Sequence, residues 1–258
     1  MIIDVNVNFG FWPFQKFHEN TLRKLNEHLK KENISFALIS SLEAVFYPDP
    51  EMGNQDLLMK LKKYKNLLPV AVANPKINNW KEILGNNKYK AIKIIPNYHY
   101  YSLLDKKALD LIGEVNNKKI TLIIQMRFED ERSHYPLLKV KGVSVQEIKE
   151  ISLKFPALSI IALCPYFAES IELANLPNVC TDISFVESLD TLHSLLAKVP
   201  AEKVLFGSHT PFLYTKAAIM KLKYGSISKK DYEKIAYKNA SQLFNIEKFF
   251  RHQKKFRR

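Results

Sequence analysis

The chain has 258 residues, of which 47% are hydrophobic and 25% are charged, and its formal net charge is +13. This balance is typical of a globular protein with a full-sized core, and it excludes a disordered chain, a collagen and a coiled coil. The seven glycines are too scattered to form a G-x-G-x-x-G or G-x-x-x-x-G-K phosphate loop, so a nucleotide-binding protein is disfavoured.

Apolar runs of strand length recur along the whole chain. Eight of them occur, at 2–8, 34–41, 67–74, 89–97, 120–127, 158–163, 179–184 and 204–208. Most gaps between them carry apolar residues at helical spacings of three, four or seven, as at Leu22, Leu25 and Leu29. Ser144 and Glu147 have the spacing of a capping box, which predicts a helix start there.

Buried strands that alternate with amphipathic helices predict an α/β protein with a parallel sheet covered on both faces. Eight such units predict a single (β/α)8 TIM barrel with an additional C-terminal helix. The alternative is an open, doubly wound sheet, which usually has fewer strands and a glycine-rich first turn. We therefore predict one barrel domain over residues 1–250, followed by a basic tail over 251–258.

The charge and the cysteines bear on partners and location. The tail holds five Lys or Arg residues and no acid, and the remaining excess of Lys is spread along helices. A dispersed charge is typical of solvated helix faces, so nucleic acid is disfavoured as a partner.

Cys164 and Cys180 lie in apolar runs and are expected to be buried and reduced. The N-terminus lacks a signal-peptide pattern and no run reaches the length of a membrane span, so we expect a cytoplasmic protein without a membrane partner.

Polar residues interrupt the predicted strands at one end of the barrel. In a TIM barrel, alternate strand residues face inward, and those near the C-terminal strand ends line the reaction site. The polar residues are Asp4, Asn6 and Asn8 on the first strand, Lys93, Asn97 and His99 on or after the fourth, Gln125 and Arg127 on the fifth, Asp182 on the seventh and His209 after the eighth. Any one of them can be a structural residue. Together they predict a site, because burial without a partner costs about 1 to 3 kcal/mol for each group.

The stretch 127–134, after the fifth strand, is densely charged. One interpretation is a solvated loop held by its own ion pairs. The other is a substrate-binding loop, in which Arg127 or Arg132 clamps a carboxylate or phosphate, Lys93 adds a third positive charge and His134 lies alongside. The segment 12–14, Trp-Pro-Phe, after the first strand predicts either an apolar wall of the pocket or a packed loop.

The two ends of the chain resemble a known family. Residues 2–10, IIDVNVNFG, are similar to the I-D-x-H-x-H-x-G opening strand of the amidohydrolase superfamily, in its amidohydrolase-related (family 2) branch. Residues 204–212, VLFGSHTPF, resemble the F-G-S-D-x-P segment of that branch, and 238–244 resemble its closing N-A-x-x-L-F helix. Residues 91–98 are similar to its G-I-K-L-x-P segment. The resemblance implies a TIM-barrel, metal-dependent hydrolase.

The positions that the resemblance assigns to metal ligands are substituted in this chain. They fall on Asn6, Asn8, Gln125, Cys164 and His209, where the family has two His, a Lys or His, a further His and an Asp, in that order. Zinc favours imidazole, thiolate and carboxylate, whereas neutral amides bind metal weakly. A divalent metal such as zinc is therefore disfavoured as a cofactor. It stays open only through a rearranged site that uses His99, Cys164, Asp182 or His209.

Two functions follow as hypotheses. The first is an amidohydrolase-type hydrolase, either metal-independent or with a rearranged metal site, that cleaves a C–N, lactone or ester bond in a small, anionic cyclic or carboxylate substrate. His209 would be the general base, Asp182 or Asp4 its orienting or proton-relay carboxylate, and His99 a further acid/base group. Asn6, Asn8 and Gln125 would stabilise oxyanion charge, and Asn97 would line the pocket. The second is a catalytically inactive barrel that binds a ligand or a partner. Assembly into a homo-oligomer is left open.

Overall fold

The computed structural model describes residues 1–135, 137 and 139–246. The predicted basic tail, 251–258, and the predicted domain end at 250 lie outside the described residues. The strands are β1 (Ile3–Phe9), β2 (Phe36–Ser41), β3 (Leu67–Pro69), β4 (Ala71–Val72), β5 (Ala91–Ile94), β6 (Thr121–Gln125), β7 (Ile160–Leu163), β8 (Val179–Asp182) and β9 (Val204–Leu205).

Helices follow nearly every strand. They are α1 (Leu22–Lys31), α2 (Glu43–Phe46), α3 (Pro50–Leu61), α4 (Trp80–Gly85), α5 (Lys106–Asn117), α6 (Val145–Lys154), α7 (Phe167–Ala174), α8 (Thr191–Leu196), α9 (Thr215–Tyr224), α10 (Lys229–Glu233) and α11 (Asn239–Phe244), with short 3-10 turns at Glu131–Ser133 and Ala201–Lys203. Within the described ranges, no helix is long and apolar enough to cross a bilayer.

The strands pair in parallel and in chain order, β1-β2-β3 in one sheet and β4 to β9 in the other. Val70 alone separates β3 from β4, and its N–H donates to the Ile39 carbonyl at 2.9 Å, so the two short strands act as one. The last strand returns to the first, because Val5 N donates to Phe206 O at 3.0 Å and Asn8 N donates to Thr210 O at 2.8 Å. These bonds close the predicted TIM barrel.

The barrel wall is apolar on its outer face and at its N-terminal end. Outward-facing strand residues pack on the surrounding helices, for example Ile92 and Ile124 against Ile112 and Ile151. A second cluster fills the N-terminal end of the barrel with residues such as Ile3, Val5, Ile123, Ile161 and Leu205. Both faces of each strand are therefore buried, which explains the near-continuous hydrophobic runs. Cys164 and Cys180 are buried and free, as predicted.

The C-terminal helical segment closes the N-terminal end of the barrel. It runs through α10, a π-helix at Lys234–Lys238 and α11, and it is the additional helix that the sequence predicts. Phe206 N donates to Ile235 O at 3.0 Å, to a carbonyl within the π-helix. Asn239 Nδ2 donates to the carbonyls of Ala201 and Val204 at 2.7 and 2.8 Å, which fixes the helix to the start of β9.

Helix starts agree with the sequence more closely than strand ends do. Ser144 caps α6, since its Oγ accepts from Glu147 N at 3.4 Å, as the capping box predicts. Several strands end before the apolar run does, and the run at 204–208 pairs regularly only at Val204 and Leu205. Beyond the strands the backbone turns sharply, with positive φ at Cys164 (61°) and His209 (56°). These turns carry side chains back over the barrel mouth.

Candidate active site

A ring of polar side chains lies inside the C-terminal end of the barrel. We call it the central ring, and it consists of Asp4, Asn6, Asn8, Ser40, Lys93, Gln125, Cys164, Asp182 and His209. Its members come from β1, β2, β5, β6 and β8 and from the turns after β7 and β9. Each is at most 3% exposed. The strands thus bring together most of the residues that the sequence singled out.

Lys93 forms one side of the central ring. Its Nζ donates to Asn8 Oδ1 at 3.0 Å and to Ser40 Oγ at 2.9 Å, and it lies 5.7 Å from the centre of the Phe128 ring. Both hydrogen-bond partners are uncharged. Burial lowers the pKa of Lys93 to about 8, although Cys164 and Asp182 oppose this shift. Asn8 Nδ2 is buried and has no partner among the described residues.

Asn6 links the opposite side of the ring. Its Nδ2 lies 2.9 Å from Asp182 Oδ2 and 3.2 Å from Cys164 Sγ, and its Oδ1 lies 3.2 Å from His209 Nδ1. The other ring nitrogen of His209, Nε2, lies 2.6 Å from the Phe128 carbonyl. Burial lowers the pKa of His209 to about 3, against the opposing effect of that carbonyl. The imidazole is therefore neutral at neutral pH.

Two carboxyl groups lie at the base of the ring. Asp4 Oδ1 accepts from Asn6 N and Ser208 N, both at 3.0 Å, while Asp4 Oδ2 has no partner in the described part of the chain. Burial raises the pKa of Asp4 to about 7, even though Ser208 and Asn6 stabilise its charged form. Burial also raises the pKa of Asp182, whose Oδ1 accepts from Cys164 N at 2.6 Å. Both groups hold protons more tightly than ordinary aspartates.

Aromatic side chains cover the central ring. This aromatic cover consists of Trp12, Phe14, Phe46, Tyr98, Phe128 and Phe212, which come from the segments after β1, β2, β5, β6 and β9. Trp12 lies at its centre, 5.1 Å from Phe128 and 4.9 Å from Phe212 between ring centroids. The Phe212 ring stacks on the His209 imidazole at 4.8 Å. The cover closes the ring from solvent, with Trp12 as a packed residue rather than as the wall of an open pocket.

The predicted arginine clamp lies outside the central ring. Both terminal nitrogens of Arg127 bind the Glu169 carboxylate, at 2.7 and 2.8 Å, and the guanidinium lies 4.0 Å above the Tyr166 ring. The side chain of Arg132 is 89% exposed and binds Asp130 at 2.7 Å. The Arg132–Asp130 pair agrees with the interpretation of this stretch as a loop held by its own ion pairs, whereas Arg127 pairs outside the stretch, with Glu169 of α7.

The structure places three other predicted site residues away from the ring. Asn97 Nδ2 donates to the carbonyls of Met126 and Lys141, at 3.0 and 3.1 Å. His134 accepts from Val140 N at 3.3 Å, in the loop after β6. His99 is buried beside the backbone of Ala44 and Val45, and burial lowers its pKa to about 4. None of these three side chains has a hydrogen bond to a central-ring residue among the described contacts.

The donor set of the ring does not fit zinc. The positions that the resemblance assigns to metal hold two asparagines, a glutamine, a thiol and His209, both of whose ring nitrogens have hydrogen-bond partners. Burial raises the pKa of the Cys164 thiol to about 12, which disfavours the thiolate that zinc needs. Among residues 1–135, 137 and 139–246, no group of three or more His, Cys, Asp and Glu is arranged to hold a metal ion.

Four contributors to the site were missed in the sequence. Ser40 binds Lys93, Ser184 Oγ lies 3.5 Å from Asn6 Nδ2, the Phe128 carbonyl binds His209, and Glu169 pairs with Arg127. The Ser40–Ser41 pair at the end of an otherwise apolar strand was a usable signal. A backbone carbonyl and a helix-cap carboxylate carry no signal, because their partners are set only by the tertiary structure.

Comparison with known proteins defines the fold. The sequence matches no protein-family model and no curated protein. The structure is similar to 2,6-dihydroxybenzoate decarboxylase from Rhizobium, with a TM-score of 0.73 and 13% identity over 95% of this chain and 99% of that one. It is also similar to 5-carboxyvanillate decarboxylase from Sphingomonas paucimobilis, with a TM-score of 0.71 and 12% identity over 95% of this chain and 98% of that one. A protein described as amidohydrolase II has a TM-score of 0.71 and 14% identity over 95% of this chain and 100% of its own. At these identities the similarity shows the fold alone, and the chain has the TIM-barrel fold that its sequence predicts.

Proposed function

We propose that this chain is a metal-independent enzyme of the amidohydrolase fold that hydrolyses a C–N, lactone or ester bond in a small anionic substrate. The observation that carries the proposal is the Lys93 corner of the central ring. An ammonium group has three donors, and Lys93 uses two of them on Asn8 and Ser40. The third donor and the unpartnered Asn8 Nδ2 suit an anionic or carbonyl oxygen.

These two donors would stabilise negative charge that develops on the substrate oxygen during hydrolysis. Such donors act strongly in a site that excludes water and needs no reorganisation. Gln125 Oε1, also buried without a partner in the described ranges, would accept from the substrate or from the attacking water. Two of the similar structures are decarboxylases whose names describe small aromatic carboxylates, which supports an anionic ligand for this barrel.

The sequence predicts His209 as the general base, and the geometry favours a different assignment. The Phe128 carbonyl can only accept a hydrogen bond, so the proton of the neutral imidazole lies on Nε2. His209 would then donate to the leaving group once Phe128 moves aside. Asp4, with its free Oδ2 and a pKa of about 7, suits the task of taking a proton from water.

Substrate entry requires the aromatic cover to open. Phe128 belongs to the cover and also holds His209 Nε2, so its displacement would admit the substrate and free the imidazole N–H together. Loops that close over an active site and exclude water commonly act in this way.

A hydrolysis panel tests the proposal. Purified protein, analysed for metal by mass spectrometry, would be assayed on lactones, esters and amides of small carboxylic acids, with and without chelator. We expect chelator-insensitive turnover that is lost in Lys93→Met and kept in Lys149→Met, a control on the surface of α6. Absence of turnover by the native protein on every substrate of the panel, or full activity of Lys93→Met, would contradict the proposal.

The closed cover supports a second candidate, a catalytically inactive barrel that binds a ligand or partner. Every central-ring residue is sealed, and Arg127 is already paired with Glu169. A panel without turnover, together with a rise in melting temperature on adding small carboxylates, would favour this binding function over the hydrolase.

A further inference from the structure

Three central-ring side chains from different parts of the barrel lie in a row. Asp182 at the end of β8 lies beside Asn6 of β1, and Asn6 lies beside His209 after β9. We infer that Asp182 is a neutral carboxylic acid that donates to the oxygen of Asn6, while the Asn6 NH2 group donates to His209 Nδ1. Asp182 is then a positioning residue that acts through Asn6 and holds His209 as the Nε2–H tautomer.

The hydrogen-bond partners of His209 require this arrangement. The Phe128 carbonyl lies 2.6 Å from Nε2 and only accepts, so Nε2 carries the proton. Full burial keeps the imidazole neutral, which leaves a lone pair on Nδ1. An amide oxygen 3.2 Å from that lone pair would place two acceptors together. The Asn6 amide therefore presents its NH2 group to His209. This orientation differs by a half-turn about the Cβ–Cγ bond, which exchanges the positions of Oδ1 and Nδ2.

Cys164 independently favours the same half-turn. Gln125 Nε2 is held by the Arg127 carbonyl at 2.6 Å and also donates to Cys164 Sγ at 3.2 Å. The sulfur thus already has one donor, and Ser184 Oγ lies 3.5 Å from it, so the nearer Asn6 amide is the better-placed partner for the thiol proton. The half-turn places the Asn6 oxygen at the position 3.2 Å from Sγ, where the Cys164 S–H can donate to it.

The protonation of Asp182 follows from the turned amide. The Asn6 oxygen then lies at the position 2.9 Å from Asp182 Oδ2, and two oxygens at that distance need a proton between them. An amide oxygen cannot supply it, so Asp182 must. Burial favours the neutral form of Asp182 and outweighs the opposing hydrogen bonds from Ser184 and Cys164 N, so its pKa is raised, and Oδ1 remains the acceptor from Cys164 N.

The charged groups that face this row are Lys93 from β5 and Asp4 from β1. A neutral Asp182 leaves the positive charge of Lys93 without compensation from β8. The inferred neutral Asp182 deepens the proposed function. It rests on the proposed function only where the uncompensated charge of Lys93 is assigned to binding an anionic substrate. The protonation of Asp182 itself is a property of the resting protein and does not depend on turnover.

Spectroscopy of the native protein tests the inference. At alkaline pH, well above the pKa of Asp4, we expect one protonated carboxylic acid to persist, seen by infrared absorption and by carbon-13 NMR of labelled aspartate. The signal should vanish in Asp182→Asn and stay in Asp4→Asn. Nitrogen-15 NMR of labelled histidine should show His209 neutral and protonated on Nε2.

Two results would overturn the inference. One is the absence of any protonated carboxylic acid in the native protein at alkaline pH, which needs no variant and so stands even if Asp182→Asn fails to fold. The other is a His209 protonated on both nitrogens. The Asn6 oxygen would then face His209 Nδ1 and the Asn6 NH2 group would face an ionised Asp182. Neither result depends on the hydrolysis panel, and failure of the panel would leave the proton assignment intact.

Discussion

At the scale of single residues, the barrel centre depends on one buried charge. Lys93 is fully enclosed, and its hydrogen bonds to Asn8 and Ser40 only partly replace the water it loses. Burial of a cation without a paired carboxylate is costly, and such groups are commonly functional. The protein therefore gives up stability at this position.

The stability cost of Lys93 can be measured through its pH dependence. Because burial lowers its pKa from 10.5 to about 8, the unfolded chain binds the proton more tightly between these values. The free energy of unfolding of the native protein should therefore rise with pH across this window, by on the order of 3 kcal/mol relative to Lys93→Met. Urea unfolding of both proteins, with Lys149→Met measured alongside, would show it. Parallel pH curves for the native protein and Lys93→Met would refute it.

The pKa values of Asp4 and Lys93 together predict the pH profile of the proposed hydrolysis. Activity should rise as Asp4 ionises through about pH 7 and fall as Lys93 loses its proton through about pH 8. The expected result is a narrow bell in kcat/KM against pH. Activity that keeps rising above the pKa of Lys93 would exclude a role for its charge.

At the scale of elements, close contacts between strands set the ring geometry. Gly207 follows β9, and a Cβ there would lie 2.3 Å from Asp182 Oδ2 at the end of β8. The strand can approach β8 only without a side chain at this position. The glycine in the F-G-S segment is thus explained by a contact rather than by its backbone angles.

We expect Gly207→Ala to destabilise the protein by roughly 1–3 kcal/mol, because either the strand or the buried carboxyl must move. Gly85→Ala is the matched control, since a Cβ at the end of α4 meets no atom within 4 Å. Thermal unfolding of both variants makes the comparison. Equal melting temperatures for the two would show that the contact is unimportant.

The ion pair between Arg127 and Glu169 joins the segment after β6 to α7. The Arg127 side chain is almost wholly buried, so loss of its partner leaves an unpaired charge. Glu169→Gln should cost roughly 3 kcal/mol. Glu172→Gln, which breaks an exposed pair with Lys149 on the neighbouring helix, should cost about 0.5 kcal/mol. The denaturant midpoints of the two variants would distinguish these losses of stability. A similarly small loss in both variants would show that Arg127 is stabilised by other groups.

At the scale of the whole molecule, hydrogen bonds among amides, a lysine and two carboxyl groups with raised pKa values hold the barrel mouth together. These donors do not suit zinc, and His209 is engaged at both nitrogens. We therefore expect a chelator to leave the melting temperature of the native protein unchanged. A fall in melting temperature on adding chelator, reversed by zinc, would show that a metal contributes to stability after all.

Much of the architecture was predictable because it rests on periodic patterns. The eight apolar runs, the helical spacings between them and the capping box at Ser144 each reflect a local rule of burial or hydrogen bonding. Strand ends were less predictable: the last run continues to Ser208, but regular pairing stops at Leu205. Pairing ends where neighbouring strands diverge, and that depends on the curvature of the barrel.

The sequence by itself determined the barrel fold and indicated most of the polar residues at its C-terminal end, though not Ser40, since inward-facing strand positions follow from alternation. Only the tertiary structure decided which of those residues meet. It brings Asn6, Asp182 and His209 together, pairs Arg127 with Glu169, and lays Trp12 and its aromatic neighbours over the ring. Such contacts join residues far apart in the chain, so no local pattern encodes them. The protonation of a buried group depends on these same contacts.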